Sequence, residues 1–331
     1  MLGLDGEQTE LHARAAQAAR ERFGREVFVR GVVEVSNYCR ENCHYCGMRR
    51  DNRSLDRYRA EVDRLADLLI HHRPASMTDV NLQAGEDPVG AREVALPLIR
   101  LLRRHTPLGV SVCLGTLDHP LYEALREAGA EIYILKFETA DAGHYTRCES
   151  PGTLAERAKH IRQLAATGWF VSSGFIAGLP GGDVEGLLQS ARFAADLPLR
   201  GCSVSPFVPG PHTPFAGEPT GGVDLALNCM AILRLLRPDW VIPAVSALNI
   251  GEPGSGYRRG LRTGANLVTI NLTPPDLRAD YVLYKPDRFI MTEERILRAL
   301  EAEGLAPSPT GLAEHFHHSV RETGIIPVDP R

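Results

Sequence analysis

The stretch Ser36-Asn37-Tyr38-Cys39-Arg40-Glu41-Asn42-Cys43-His44-Tyr45-Cys46-Gly47 sets three cysteines in the spacing C-x3-C-x2-C, directly after a strand-like segment of a 331-residue chain. Three thiolates on one short loop can hold three corners of a [4Fe-4S] cluster, which normally takes four cysteine ligands. The fourth iron is then open to a small molecule, much as a catalytic zinc keeps one position free. Two other readings compete. A structural zinc site draws on a second pair such as C-x2-C or H-x3-H, and none follows. A disulfide framework suits small domains in oxidising compartments, whereas this chain is long and Met1-Leu2-Gly3-Leu4-Asp5-Gly6 has no basic-then-apolar leader. Seven cysteines suit cluster ligation plus buried free thiols, and the expected compartment is the reducing cytoplasm.

Outward from this loop, runs rich in Val, Ile and Leu alternate with helical patterns, the signature of βα units and a parallel sheet. Eight runs can be counted, at residues 27–35, 79–83, 110–114, 132–137, 170–177, 202–208, 241–247 and 267–272. Between them, Val62, Leu65 and Leu69, or Leu154, Ala158, Ile161 and Leu164, recur at helical spacing. Right-handed crossovers favour a closed (β/α)8 TIM barrel, an α/β fold of roughly 250 residues. Thr153 with Glu156 forms a capping-box pattern, and Gly129 and Gly168 follow helices as stops. The whole chain, 1–331, is expected to be one domain: an N-terminal helix within 1–24 packing across the barrel bottom, the barrel over 25–275, and a C-terminal extension over 276–331. That extension reads as a Pro-rich loop, one helix near 292–303 and an irregular tail.

A formal charge of −4 argues against a nucleic-acid binder, which carries a strongly basic face. No apolar run approaches the roughly 20 residues of a membrane span. The arginines at 49, 50, 53, 57 and 59 read mostly as solvated surface and loop anchors.

In such barrels, chemistry sits on the loops after the strands. The cysteine loop follows the first run. Gln83-Ala84-Gly85-Glu86-Asp87-Pro88 ends the second, Glu138-Thr139-Ala140 the fourth, and the glycine-rich stretch from Gly174 to Gly181 the fifth, so all point into one mouth.

The cysteine loop resembles that of radical SAM enzymes, with Tyr45 placed like that family's aromatic neighbour of the adenine. The resemblance implies S-adenosylmethionine (SAM) chelated to the open iron through its amino and carboxylate groups. It further implies reductive cleavage to methionine and a 5′-deoxyadenosyl radical, a reduced flavodoxin or ferredoxin-type donor, and a small-molecule substrate in a dry cavity. Gln83, Gly85 and Glu86 resemble the family's Gly-Gly-Glu element near the SAM amino group, with Ala84 in place of the first glycine. Glu138 would accept from the SAM ammonium or ribose, and Arg157 would fork onto the carboxylate. Gly174, Gly178 and Leu179 would let backbone approach the adenine. The ordinary alternatives are Glu138 paired with a neighbour, Arg157 as a solvated helix charge, and a strand thinned by glycine for packing.

Within that superfamily the chain is similar to the biotin synthase-like group, and most to the HydE family of [FeFe]-hydrogenase maturases, over residues 20–285. The segments 33–39, 43–52, 83–88, 206–209 and 242–244 carry this likeness; biotin synthase and methylornithine synthase are more distant. Departures are Ala84 for Ser, Lys136-Phe137 for Arg-His, and no cysteine after Cys229 for a peripheral cluster. Of the other cysteines, Cys148, Cys202 and Cys229 read as inert buried thiols. Cys113, ending the third run, faces the expected cavity, yet Ser173 and its neighbours offer no set for a second cluster. His44 reads as an exposed loop residue, and His212 borders the substrate or caps its loop. Ser246, Ala247, Leu248, Asn249, Asn271 and Thr273 would line the mouth. The leading expectation is a HydE-like enzyme acting on a small cysteine-derived organometallic substrate. A methylornithine-synthase-like or other amino-acid or specialised-metabolite enzyme comes second, and a non-catalytic iron–sulfur carrier third.

Overall fold

The computed structural model describes residues 5–284 and 289–323. The expected N-terminal residues 1–4 and the end of the tail, 324–331, lie outside the described residues. Seven parallel strands, β1 (Glu26–Ser36), β2 (Asp79–Ala84), β3 (Gly109–Cys113), β4 (Ile132–Ile134), β5 (Phe170–Ala177), β6 (Gly201–Pro206) and β7 (Leu267–Asn271), run in the order β6-β5-β4-β3-β2-β1-β7. Period-two alternation decides what each strand shows to either side. On β1, Val27, Val29, Val33 and Val35 enter the main apolar core. Arg30, Val32 and Glu34 line an interior cavity instead. Helices supply the outer layer through Leu65 and Leu69, or Ile161 and Leu164. The capping box forms as the pattern predicts, and Gly129 and Gly168 take φ of 113° and 88° as helix stops.

Strands β6 and β7 do not pair directly. The run at 241–247 closes the ring with two single bridges, Val241 to Gly201 and Pro243 to Leu267, and Ser246 already begins a helix. Pro243 has no N–H to give, so a full ladder cannot form there. Side-chain bonds compensate. Asn266 Oδ1 accepts from Ile242 N–H and from Arg234, both at 2.8 Å, and Arg234 also donates to the carbonyls of Gly264, Pro238 and Trp240.

Two expectations about the ends are corrected. The first helix, Asp5–Phe23, lies against the helix Val223–Leu236, with Leu11 and Ala15 on Ala231 and His12 bonded to Asn228; it does not cross the barrel bottom. That place belongs to the C-terminal extension, whose described residues after 303 form a short strand and a helix rather than an irregular tail. A short strand β8 (Ala306–Pro307) pairs with the start of β1. The following helix, Leu312–Thr323, presses Leu312, Ala313 and Phe316 onto Phe28, Ile132, Val241 and Leu267. Buried Asp79 accepts from Leu312 N–H at 3.0 Å, which anchors that helix at its first turn. Among the described residues no helix is long and apolar enough to cross a membrane.

Candidate active site

The cysteine loop has no regular structure of its own, so side chains shape it. Arg57 donates to the carbonyls of Asn37, Met48, Arg49 and Asn52. Asn37 donates to Asp56 and Asp280 carbonyls and accepts from Tyr58 N–H. Buried Asp87, at the end of the β2 loop, takes Ser36 Oγ at 2.6 Å and a two-pronged Arg59 at 2.8 and 2.9 Å. Its own burial would raise its pKa, but these donors outweigh that and hold it below the usual carboxylate range. Arg49 Nε adds a 2.8 Å bond to Asn42 Oδ1 within the loop, and exposed Arg50, beside Asp51, donates to the Arg40 carbonyl.

Cys39, Cys43 and Cys46 all line one cavity of about 360 Å³. Among the described residues no three His, Cys, Asp or Glu side chains converge on a single ion. Thiolates on different corners of a cube need not converge, so this donor set fits a sulfur-ligated cluster better than one zinc. Burial, and then the nearness of Cys39, pushes the Cys46 thiol up to about 12; burial, then the nearness of Cys46 and Cys39, raises Cys43. Such sulfurs ionise only beside a strongly electropositive partner, as a cluster's irons provide.

Glu86 and Arg157 meet at the side of this loop. Glu86 donates its N–H to Cys39 Sγ at 3.4 Å and takes Arg157 Nη2 at 2.8 Å and Arg40 Nη2 at 3.2 Å. Arg157 is buried at 5% exposure, so it is not a solvated helix charge. Burial alone would lower its pKa, but Glu86 and Tyr145 raise it. Nη1 reaches Thr116 Oγ1 at 2.7 Å, while Nε has no partner among the described residues. The glycines explain the close packing. A Cβ on Gly85 would strike the Tyr38 carbonyl, and one on Gly115, at φ 72°, would strike Glu86.

Glu138, also on the cavity wall, has φ of 62°, a left-handed conformation that costs a non-glycine residue about 1–2 kcal/mol. Its N–H and that of Phe137 both donate to Gly174 O, and its own carbonyl accepts from Ile176 N–H. Lys136 Nζ stands 2.9 Å from its Oε2, although that oxygen has no aligned hydrogen-bond donor among the described residues. Tyr45 lines the wall half-buried, its hydroxyl 3.3 Å from Ser150 Oγ. Gln83 lines it too.

Gly174, Gly178 and Leu179 are not on the cavity wall; β5 offers Ser172 and Ile176 there. A Cβ on Gly174 would strike Ser203 and crowd Lys136 Cε at 3.0 Å, and Gly178, at φ 80°, abuts Gly221. Leu179 joins Cys148 and Phe207 in a small apolar cluster against Tyr45. Cys113 faces the cavity as expected, its thiol pushed up by burial to about 11, whereas Ser173 turns away and donates to Leu135 O. Cys148, Cys202 and Cys229 are buried free thiols. His44 is not exposed: it is half-buried, edge-on to Phe215 and 3.5 Å from Glu149. His212 is exposed and off the wall; among the mouth residues Ala247, Leu248, Asn249 and Thr273 are buried and also off it, whereas Ser246 is on it. Asn271 is on the wall. Sequence reasoning missed Arg30 and Tyr257; the alternation of β1 would have turned Arg30 inward with Val32 and Glu34.

Residues 33–194 match the Radical SAM superfamily. The [FeFe] hydrogenase maturase subunit HydE of Thermotoga maritima is 33% identical over 82% of this chain and 77% of its own length. The 3-methylornithine synthase of Methanosarcina acetivorans is 26% identical over 93% and 89%. Among solved structures, methylornithine synthase (PylB) aligns with a TM-score of 0.84 at 25% identity, over 96% of this chain and 93% of its own. The maturase HydG from Carboxydothermus hydrogenoformans, at 20% identity, covers 96% and 76% with a TM-score of 0.77 and shares the fold. This chain is an enzyme of the radical SAM superfamily, whose cofactors are a [4Fe-4S] cluster and S-adenosylmethionine.

Proposed function

We propose that this enzyme acts as HydE-type maturases do, on a small amino-acid-derived substrate in the assembly of an [FeFe]-hydrogenase cofactor. Cys39, Cys43 and Cys46 would hold the cluster. The observation that carries the reading is the buried Arg157–Glu86 pair beside Cys39, a cation and an anion side by side, as the carboxylate and ammonium of a methionine moiety require. Glu138 would accept from the ribose hydroxyls and Tyr45 would cover the adenine. Gln83 and Gly85 would flank the amino group, while Gly174, Gly178 and Leu179 support that wall from behind. When bound, cluster and SAM supply one-electron cleavage to a 5′-deoxyadenosyl radical, with the electron from a reduced flavodoxin or ferredoxin-type protein of the cytoplasm. The chain's remaining task is to exclude water and orient the substrate. Arg30 supports a substrate bearing a carboxylate: it lines the same cavity, and among the described residues no carboxylate pairs with it. A methylornithine-synthase-like reaction is the second reading, favoured by the closeness of the solved PylB fold.

Anaerobic reconstitution tests the site. The protein should take up about four irons per chain and release 5′-deoxyadenosine when reduced with SAM, and Cys43→Ala should lose both. A Cys43→Ala protein that keeps its cluster contradicts the ligand assignment.

A further inference from the structure

Among the described residues Lys136 is the one lysine on the cavity wall, and its setting is unusual for so flexible a side chain. Leu135 N–H and Phe137 N–H are tied to β5 through Ser172 O and Gly174 O, and Phe137 turns outward onto Phe175 and Phe193. Residues 136 and 138 therefore point inward together. The lysine stem passes over Gly174, where a Cβ would crowd Cε and strike Ser203, and the ammonium ends 2.9 Å from Glu138 Oε2.

We infer that Lys136 is a positioning residue: laid in the groove that Gly174 leaves open, it fixes the carboxylate of Glu138 in the orientation that receives the nucleoside of SAM. The inference rests on the role proposed above for Glu138. Two features support it. Glu138 holds a left-handed backbone at φ 62°, a conformation that persists only where its surroundings over-determine it. Moreover, its Oε2 has no aligned hydrogen-bond donor among the described residues, so the nearby ammonium is the main restraint on that oxygen. The same clearance explains a glycine on β5 that does not itself reach the cavity wall. An ammonium suits the task because it is a compact charge whose three donors turn freely, leaving the second carboxylate oxygen for a ligand hydroxyl.

A double-mutant cycle on the anaerobically reconstituted protein tests this, reading SAM affinity by equilibrium dialysis, iron content, and KM against kcat for 5′-deoxyadenosine release. Glu138→Gln and Lys136→Met should each weaken SAM binding about tenfold, the scale of one charge-assisted contact. The double variant should be no weaker than the worse single one, because the two act as a unit. Iron content should stay constant, and the loss should lie in KM for SAM. Lys136→Arg should stay within about threefold of the parent, and Lys136→Ala should follow Lys136→Met. If Lys136→Met binds SAM normally while Glu138→Gln does not, or if the two losses add, the positioning role is wrong and the reading of Glu138 stands. If Glu138→Gln itself binds SAM normally, the reading of Glu138 fails and this inference falls with it. Should Lys136→Met not fold, Lys136→Ala decides by the same measurements.

Discussion

At the scale of single residues, Arg157 and Glu86 are each tolerable in the interior only because of the other. Both are nearly sealed from solvent, and their 2.8 Å contact offsets a desolvation that neither could bear alone. Arg157→Met should therefore lose stability as well as SAM affinity, by roughly 3–5 kcal/mol, since it leaves the Glu86 charge buried with only the half-exposed Arg40. Adding Glu86→Gln to that variant should recover much of the stability while SAM binding stays poor. Chemical denaturation of the three proteins checks both statements, and an Arg157→Met protein as stable as the parent would mean that Glu86 is better solvated than its burial indicates. That the three cysteines, Tyr45, Glu86, Glu138 and Arg157 meet at one cavity was readable from residue type and position after a strand. The contact between Arg157 and Glu86 was not, because 71 positions separate them and only the closed sheet brings them together.

At the scale of elements, strands with unbroken apolar alternation were legible, and the run at 241–247 was the exception. Its apolar composition suggests a strand, but Pro243 removes a donor and Ser246 opens a helix, so what holds this segment is the Arg234–Asn266 network rather than a ladder. Arg234 is fully buried, among the described residues no carboxylate pairs with it, and burial pulls its pKa to about 10. Its charge is shared among three backbone carbonyls and Asn266. Asn266→Ala should cost roughly 1–3 kcal/mol, because Ile242 N–H and a guanidinium N–H both lose their acceptor. Hydrogen exchange should quicken at Ile242 and its neighbours while iron content is unchanged. Exchange that is no faster there would show that the backbone bridges alone close the ring. The glycine-rich end of β5 taught a similar lesson: Gly174 reads as a ligand-facing gap in sequence, but its neighbours on β4 and β6 fill that gap.

At the scale of the whole molecule, one chamber runs from the cysteine loop at the strand ends to a floor made by Leu312 and Phe316. The tail reads as irregular in sequence because its helix offers only Leu312, Ala313, Phe316 and Val320 as apolar positions among three histidines, and nothing local says that this face closes a barrel. Phe316→Ala should destabilise the protein by roughly 3–5 kcal/mol and let water into the chamber from below. More 5′-deoxyadenosine should then form per turnover of substrate, since a wetter chamber protects a radical less well. An unchanged melting temperature and unchanged coupling would place the floor elsewhere.

In the proposed site three thiolates hold a cluster beside a cation–anion pair that receives SAM. Electron paramagnetic resonance of the reduced, reconstituted protein tests it most directly. Adding SAM should change the cluster's signal in the parent, and that change should weaken sharply in Arg157→Met and vanish with the cluster in Cys43→Ala. A reduced cluster whose signal ignores saturating SAM, or a protein that takes up zinc and no iron, would contradict the account.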